Sequence, residues 1–370
     1  MERYDVVVVG AGPGGSTAAR FAAQGGARTL LLDQRVELGQ PVQCGEFLPT
    51  PAELADLFPH PEIPQLIREA FVIPPETVLR ATHEMVCVAP SGRRYRFPLE
   101  GFAVSRRAFD KRLALAAEGE GAELRFPCGV TGVKDGRVRL ANGGEVEGQV
   151  VIGADGPLST VARGAGFAPT REMYRMITGT SLGEFPDAIE LYFGHHTPGG
   201  YGWMIPKATD ANVGLGVTRL PPGEDLGSLL DRFLTAWGLP RATDRTRWWV
   251  PIGPPPESAR AGRALFVGDA ANLVMATNGG GIPTAILSGR DAGVAAAGHC
   301  RTGAPLAEYD RLWRSHLYEP LLRAWRIKRL GDRIVERDRW LSIGMAYIGT
   351  KGLDSMMRLR WPARLVWRDS

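Results

Sequence analysis

Apolar runs that end in a glycine or an acidic residue recur along the chain. The first is "YDVVVV" at residues 4 to 9, which is rich in β-branched residues and leads into "GAGPGG" and an alanine-rich stretch. This pattern predicts a strand, a tight turn and a helix. Similar runs are "RTLLLD", "VVIGADG" from residue 150 and "RALFVGD" from residue 263. They predict further strands that end at Asp33, Asp155 and Asp269.

Shorter strand-like runs with turn signals occupy residues 59 to 100 and 171 to 257. The second range contains "AIELYFG", "GYGWMIPK" and "NVGLGVT", which are typical of an antiparallel sheet. The segment "PIGPPP" then returns the chain to the first domain, and from Pro305 onward the apolar residues have helical spacing.

These patterns predict an α/β protein with a Rossmann-like domain, an inserted antiparallel β-sheet domain and a C-terminal helical tail. The Rossmann-like domain is discontinuous and takes residues 1–58, 101–170 and 258–304. The inserted domain takes 59–100 and 171–257, and the helical region takes 305–370.

Composition is that of an ordinary folded protein, with 44% hydrophobic and 23% charged residues in 370. The four cysteines have neither paired metal-ligand spacing nor the density of a disulfide scaffold, so we predict a reducing compartment and no metal site. The start of the chain lacks the features of a signal peptide. The 20 uncharged residues between Asp269 and Arg290 contain a proline and three consecutive glycines, which predict a loop and helix rather than a membrane span. A cytoplasmic protein is expected.

The charge is concentrated near the C-terminus. Residues 311–370 carry 14 Lys and Arg against 6 Asp and Glu, and they hold five of the nine tryptophans. Such a mixture suits peripheral contact with the cytoplasmic membrane, while a solvated helical face with inward-packed Trp is the alternative. Binding to nucleic acid is not expected, because no reader motif accompanies the charge.

The glycine-rich loop predicts a dinucleotide site. Gly10 permits the tight turn, Gly12 lets the backbone approach a pyrophosphate, and Gly15 allows close packing of helix on strand. Pro13 and Gly14 lie between them and suit the start of a helix, whose N-terminal N–H groups and dipole attract phosphate.

An acid follows at the spacing that a dinucleotide site requires. Asp33 lies 18 residues after Gly15, where its carboxylate can accept hydrogen bonds from ribose hydroxyls and repel a 2′-phosphate. Gln34 and Arg35, which follow directly, are included among the candidate cofactor contacts.

The segment from residue 263 resembles the flavin-binding element of FAD-dependent enzymes with the p-hydroxybenzoate hydroxylase fold. The resemblance rests on Gly268-Asp269, followed after about ten residues by a glycine run that opens a helix. It implies that Asp269 holds the ribityl chain of FAD. It also implies that the helix start at Gly280, Gly281 and Ile282 points its dipole at the flavin pyrimidine edge.

Two further positions match that fold. "FAVSRRAFD" places Arg106 just before a helix, where the resemblance implies a contact with FAD, and Asp155 ends another strand. One departure is Met275-Ala276-Thr277, where proline is common in the family, so the shape of the flavin pocket stays open. No second glycine fingerprint is present, which argues against a separate NADPH-binding Rossmann domain. Whether an external electron donor such as NADPH or ferredoxin reduces the flavin stays open.

Two segments resemble the geranylgeranyl reductase family more specifically. "PVQCGE" supplies Pro41, Cys44 and Gly45 for the pattern Pro-x-x-Cys-Gly. "YGWMIPK" supplies the second family mark, with Tyr201 and Trp203 at its start. The resemblance implies that reduced flavin gives hydride from N5 to the double bonds of an isoprenoid or prenyl lipid.

Cys44, Tyr201 and Trp203 are the candidate catalytic residues. For Cys44 three roles stay open: donating a proton to the alkene, positioning beside flavin or substrate, and inert packing. Tyr201 and Trp203 are expected to shape an apolar tunnel.

Alternative functions belong to other classes. An FAD-dependent monooxygenase of an apolar or aromatic substrate stays open, as does a non-catalytic flavin module. Flavin-dependent halogenases need a catalytic lysine in the early part of the chain. A halogenase is therefore disfavoured, because no lysine precedes Lys111. The particular isoprenoid, the electron donor and the oligomeric state are not determined by the sequence.

Overall fold

The computed structural model describes residues 1–168, 170–333 and 337–365. Its strands are β1 Glu2–Val9, β2 Thr29–Leu32, β3 Phe47–Pro49, β4 Val78–Val88, β5 Arg94–Val104, β6 Glu123–Arg125, β7 Val130–Lys134, β8 Arg137–Leu140, β9 Glu145–Gly153, β10 Met173–Leu182, β11 Ile189–Tyr192, β12 Tyr201–Pro206, β13 Asp210–Val217, β14 Ala242–Pro251, β15 Arg260–Ala261 and β16 Ala264–Phe266.

The α-helices are α1 Pro13–Gln24, α2 Pro51–Leu57, α3 Ile63–Ala70, α4 Arg106–Gly119, α5 Thr160–Gly164, α6 Leu226–Ala236, α7 Ile282–Thr302, α8 Ala307–Trp313, α9 Glu319–Gly331 and α10 Asp338–Met357. A π-helical turn, Arg314–Tyr318, joins α8 to α9, and a short 3₁₀ helix, Gly268–Ala271, follows β16.

The first sheet is built around the order β16-β9-β1-β2-β6, in which every neighbouring pair is parallel. Val6 to Val9 at its centre are at most 5% exposed, as expected for a parallel sheet covered on both faces. Helices α1 and α7 pack closely, since an added Cβ at Gly289 would lie 2.2 Å from the carbonyl oxygen of Gly14. The strand, turn and helix predicted at the N-terminus are confirmed.

The second sheet has the order β14-β10-β13-β12-β11-β4-β5-β3 and is antiparallel except between β11 and β4. Successive residues of β12 point to opposite faces. Tyr201, Trp203 and Ile205 join one apolar cluster, whereas Met204 packs with Phe233 of α6 in another. Both faces are therefore covered, which explains why the sequence of β12 shows no alternation of polar and apolar residues.

The predicted α/β class, inserted antiparallel sheet and helical tail are confirmed. The exact domain boundaries stay a prediction: β3, which lies within residues 1–58, pairs with β5 in the second sheet.

Helix α10 lies against the second sheet. Leu341, Met345, Leu353 and Met357 belong to the same apolar cluster as Tyr201 and Trp203. At its end, Arg358 forms ion pairs with Glu53 and Asp56 and fastens the tail to α2. Among the helices that the structure describes, none combines the length and apolar character needed to cross a bilayer.

Candidate active site

A cavity of about 750 Å³ is lined by residues of both sheets. It brings together nearly all the residues that the sequence predicts for the site: Gly10, Gly12, Pro13, Gly14, Asp33, Gln34, Arg35, Cys44, Gly45, Arg106, Asp155, Tyr201, Trp203, Gly268, Asp269, Gly280, Gly281 and Ile282. Gly15 lies beneath the lining, where an added Cβ would be 1.8 Å from the carbonyl oxygen of Gly10.

The glycine loop forms part of the wall of this cavity. Gly10 has φ +100°, and an added Cβ there would lie 2.3 Å from the carbonyl oxygen of Ala154. At Gly12 the nearest atom to an added Cβ is Arg35 Nη2, 4.0 Å away, so a side chain would occupy space that the loop leaves open. The free N–H groups at the start of α1 are arranged as at other helix N-termini that bind phosphate. These features fit the diphosphate of a dinucleotide.

Asp33 is held by its own neighbours. Its carboxylate accepts hydrogen bonds from Ala11 N at 2.7 Å, Arg35 N at 2.8 Å, Arg35 Nε at 2.9 Å and Arg35 Nη2 at 2.8 Å. Burial acts to raise the pKa of Asp33, but Arg35 and the Ala11 N–H lower it below its usual value. Since an ionised carboxylate has about four acceptor positions, a bound ribose would have to share Asp33 with Arg35.

Asp269 and the start of α7 also line the cavity. Burial raises the pKa of Asp269 to about 6, although the positive charge of Arg106 acts in the opposite direction. An added Cβ at Gly281 would lie 3.0 Å from Asp269 Oδ1. A buried carboxylate beside free helix N–H groups can bind hydroxyl and carbonyl groups of a polar ligand.

Asp155 also lines the cavity, but its carboxylate is engaged locally. It accepts hydrogen bonds from the Ser159 hydroxyl and from Thr160 N at 2.7 Å, and it thereby caps α5. Its position is compatible with a cofactor contact, and its hydrogen bonds give it a structural role as well.

Arg106 forms a bidentate pair with the fully buried Asp110, at 2.9 and 2.8 Å. Burial acts to lower the pKa of Arg106, but Asp110 and Cys44 outweigh this and raise it. The guanidinium is therefore a fixed positive charge near Cys44.

The turn that carries Cys44 has an unusual backbone. Cys44 Sγ accepts a hydrogen bond from Glu46 N at 3.1 Å, and Glu46 has φ +65° while only 4% exposed. Non-glycine residues rarely adopt such a φ, so tertiary contacts must hold Glu46 in place. At Gly45 an added Cβ would lie 2.8 Å from Ile205 Cδ1, so glycine lets the turn rest on β12.

A buried hydrogen-bond network holds this turn. Trp203 Nε1 donates to Asn212 Oδ1 at 2.8 Å, and Asn212 Nδ2 donates to Cys44 O and to Glu46 Oε2, both at 3.0 Å. Lys207 completes the network as an ion pair with Glu46. Sequence reasoning placed Cys44 and Trp203 in the site and gave no role to the other members. Glu46 and Lys207 lie in the quoted motifs and could have been noticed, whereas nothing in the sequence singled out Asn212.

Tyr201 ties β12 to the glycine run before α7. Its hydroxyl donates a hydrogen bond to the carbonyl oxygen of Asn278, and an added Cβ at Gly279 would lie 2.9 Å from that hydroxyl. Burial, with a smaller contribution from Cys44, raises the pKa of Tyr201 above its usual value. Tyr201 therefore stays protonated at neutral pH and keeps the loop in contact with the cavity wall.

The part of the cavity lined by the apolar cluster of Tyr201 and Trp203 is apolar. Its walls include Met85, Leu99, Met176, Ile189, Leu191, Trp248 and Met357. One cavity thus joins a phosphate-binding loop to an apolar chamber, and Cys44 is part of its lining. Such a site can hold a dinucleotide cofactor and an apolar substrate together.

Family models match the two parts of this site. Residues 171–245 match a model described as the geranylgeranyl reductase catalytic domain, and residues 8–59 match an NAD(P)-binding Rossmann-like domain.

A curated relative and two solved structures are similar over most of the chain. The digeranylgeranylglycerophospholipid reductase of Methanocaldococcus jannaschii is 32% identical, over 90% of this chain and 87% of that relative. A geranylgeranyl bacteriochlorophyll reductase-like protein of Thermoplasma acidophilum is 27% identical with a TM-score of 0.82, and the match covers 99% of this chain and 94% of that one. A probable FAD-dependent monooxygenase of Pseudomonas aeruginosa, 20% identical with a TM-score of 0.67, covers 93% of this chain and 100% of its own and shows the shared fold alone.

Proposed function

Because this chain belongs to the geranylgeranyl reductase family, as a relative 32% identical over most of its length shows, we propose that it reduces the geranylgeranyl chains of a glycerophospholipid. Membership makes it an FAD-dependent oxidoreductase that acts on prenyl double bonds. The single observation that carries the choice of substrate is the apolar chamber joined to the nucleotide loop in one cavity.

Several residues would hold FAD in this cavity. Gly12 and the start of α1 would bind the diphosphate, and Asp33 with Arg35 would bind the adenosine ribose. Asp269 would accept a hydrogen bond from the ribityl chain, and the start of α7 would stabilise negative charge on the flavin. Once bound and reduced, FAD supplies the hydride, from its N5.

Cys44 would donate the proton that alkene reduction also requires. The thiol transfers its proton to the alkene carbon that does not receive hydride, and the thiolate then takes a proton from solvent. The N–H of Glu46 donates to the sulfur, and this N–H and the nearby guanidinium of Arg106 would stabilise the negative charge that forms. Tyr201 and Trp203 would form part of the cavity wall around Cys44.

The lipid would reach the cavity from a membrane surface. On α10, Trp340, Ile343 and Tyr347 are spaced as one helical face and are 54%, 48% and 55% exposed. In contrast, Trp313 of the same tail is fully buried, and Trp367 lies outside the described residues. We therefore assign the peripheral contact to the exposed face of α10 rather than to the whole of residues 311–370.

The electrons would come from an external donor. The described residues contain a single glycine-rich dinucleotide loop, and the cavity that it lines is occupied by the proposed FAD and lipid sites. Anaerobic reduction of the bound flavin by NADPH, compared with reduction by ferredoxin, identifies the donor from the loss of flavin absorbance.

Mass spectrometry of the lipid tests the function. The purified protein, reduced by dithionite without oxygen, is incubated with digeranylgeranylglycerophospholipid, and each reduced bond should add two hydrogen atoms to the product. A product that gains an oxygen atom, with oxygen consumed, would instead establish the monooxygenase alternative.

A further inference from the structure

A second cluster of polar side chains lies outside the cavity. One potential ligand atom from each of His60, Glu62 and His316 lies within 4.8 Å of the others. His316 Nε2 is 3.0 Å from Glu62 Oε2, and the rings of His60 and His316 meet edge to face with centroids 5.2 Å apart. None of the three residues lines the cavity described above.

The other nitrogen of His316 is fixed by a carboxylate. His316 Nδ1 lies 2.8 Å from Asp291 Oδ2, and the side chains of both residues are fully buried. Arg290 Nη1 lies 3.3 Å from the second Asp291 oxygen. With Nδ1–H donating to Asp291, His316 Nε2 faces the Glu62 carboxylate, and without a metal its N–H donates to that carboxylate. A metal ion would replace the Nε2 proton, so that Nε2 and Glu62 could both bind the ion. A carboxylate that orients a histidine in this way is the usual partner of a metal-binding imidazole.

The backbone around His316 is also unusual. His316 lies in the π-helical turn Arg314–Tyr318, and π-helical turns are frequent at functional sites. The two other residues come from the segment between α2 and α3, and Asp291 comes from α7. Glu62 is exposed and His60 is half-buried, so the cluster is open to solvent on one side.

The donor set indicates which ion would fit. Two imidazoles and one carboxylate, with a water molecule in the fourth position, form a common tetrahedral set for Zn²⁺. Ligand atoms around one Zn²⁺ are separated by about 3.3 Å, so the side chains need only small rotations from their present positions. We propose that His60, Glu62 and His316 bind one divalent transition-metal ion, for which Zn²⁺ is the best match, and that the ion links the α2–α3 segment to the C-terminal helices.

Zinc binding to the full-length holoprotein tests this site. Protein without an affinity tag is treated with a chelator, dialysed and titrated with Zn²⁺ by calorimetry, and bound zinc is measured by elemental mass spectrometry. Wild type should bind one Zn²⁺ per chain. His60→Ala and Glu62→Gln, which alter partly exposed side chains and should fold normally, should each reduce the affinity by at least tenfold. Asp291→Asn should weaken binding by about 10- to 100-fold through loss of the orienting carboxylate.

The matched control removes a histidine from another cluster. His195 packs on His196 and pairs with Asp338, so His195→Ala deletes an imidazole from a different His-rich surface. This variant should bind zinc as wild type does. The proposal fails if wild type binds no zinc, or if His60→Ala and Glu62→Gln bind it with unchanged affinity.

Discussion

The ammonium of Lys207 lies 2.5 Å from the carboxylate of Glu46, and this buried ion pair joins the cysteine turn to the end of β12. The two side chains are only 12% and 5% exposed. The pair connects the two sequence segments that carry the family resemblance, and it helps to hold Glu46 at its positive φ.

Breaking this pair from one side should destabilise the protein. Lys207→Met should lower the free energy of unfolding by about 3–5 kcal/mol, because the Glu46 carboxylate is left buried without its counter-charge. The double variant with Glu46→Gln should recover part of the loss. Urea denaturation measures both, and Arg96→Met, which breaks the more exposed pair with Glu84, should cost no more than about 1 kcal/mol. If the losses of unfolding free energy from the two single substitutions add up in the double variant, the two residues are not coupled.

Cys44 should affect alkene reduction without affecting flavin binding. Cys44→Ala should keep a normal flavin spectrum and dithionite reduction, while its turnover of the lipid falls by about 10²- to 10⁴-fold. Cys44→Ser preserves the volume but is a far weaker acid, so it should be nearly as slow. If both variants turn over the lipid at the wild-type rate, Cys44 has only a packing role. A small loss of stability without loss of turnover would then reflect the cavity left by the smaller side chain.

The hydrogen bonds of Asp33 should be reflected in FAD affinity. Asp33→Ala should weaken FAD binding by roughly ten- to a hundredfold, since a hydrogen bond to a charged group contributes about 1.5–3 kcal/mol. Fluorescence titration of flavin-depleted protein gives the dissociation constant. Asp231→Ala, which breaks an Asp–Arg pair with Arg245 on the surface, should bind FAD normally. Equal affinity in Asp33→Ala and wild type would remove Asp33 from the site.

FAD affinity should also depend on the protonation of Asp269. Its pKa is raised to about 6 by burial, so the carboxylate that can accept a ribityl hydroxyl is present above that pH and is lost as the pH falls through it. The dissociation constant should therefore rise below pH 6, approaching tenfold per pH unit. Asp269→Asn should bind FAD more weakly and show no such dependence between pH 5 and 8. A variant that keeps the wild-type pH profile would assign the titration to another group.

The exposed face of α10 should direct membrane contact. Replacing Trp340 and Tyr347 together by serine should reduce sedimentation with anionic vesicles several-fold, because aromatic side chains anchor a helix in the headgroup region. Leu182→Ser removes an apolar side chain that is 69% exposed on β10 and should sediment as wild type does. Equal sedimentation of the aromatic variant and wild type would leave this face without a role at the membrane.

Much of the cofactor end could be predicted from the sequence, because its residues act through local geometry. The glycine turn and Asp33 each follow a strand directly, and the glycine run precedes helix α7. Their positions can therefore be predicted from spacing along the sequence. Asn212 could not be found in this way, since it meets Glu46 across 166 positions of the chain. The same holds for His316 and Glu62, which are separated by 254 positions and have no spacing that indicates metal binding.

The pairing of Asp33 with Arg35 was missed for a different reason. The two residues are close in sequence, but a side-chain fork that closes back on its own turn depends on rotamers, which a residue pattern does not specify. Asp155 is similar, because the sequence showed an acid at the end of a strand without showing that it caps α5.

Helix α10 contributes apolar residues to the cluster that contains Tyr201 and Trp203, and before its interruption at Gly349 it also has an exposed apolar face. A helix with its side chains is about 10 Å across. A twenty-carbon prenyl chain that crossed open water would lose roughly 16 kcal/mol of favourable transfer free energy, at about 0.8 kcal/mol per methylene. If the exposed face of α10 lies in a membrane, as we propose, this helix separates the bilayer interior from the apolar cluster around Tyr201 and Trp203 by about one helix diameter. The chain could then pass from one oil-like phase to the other without being hydrated, and the rate of substrate capture would depend on the depth of this helix in the lipid rather than on the solubility of the lipid.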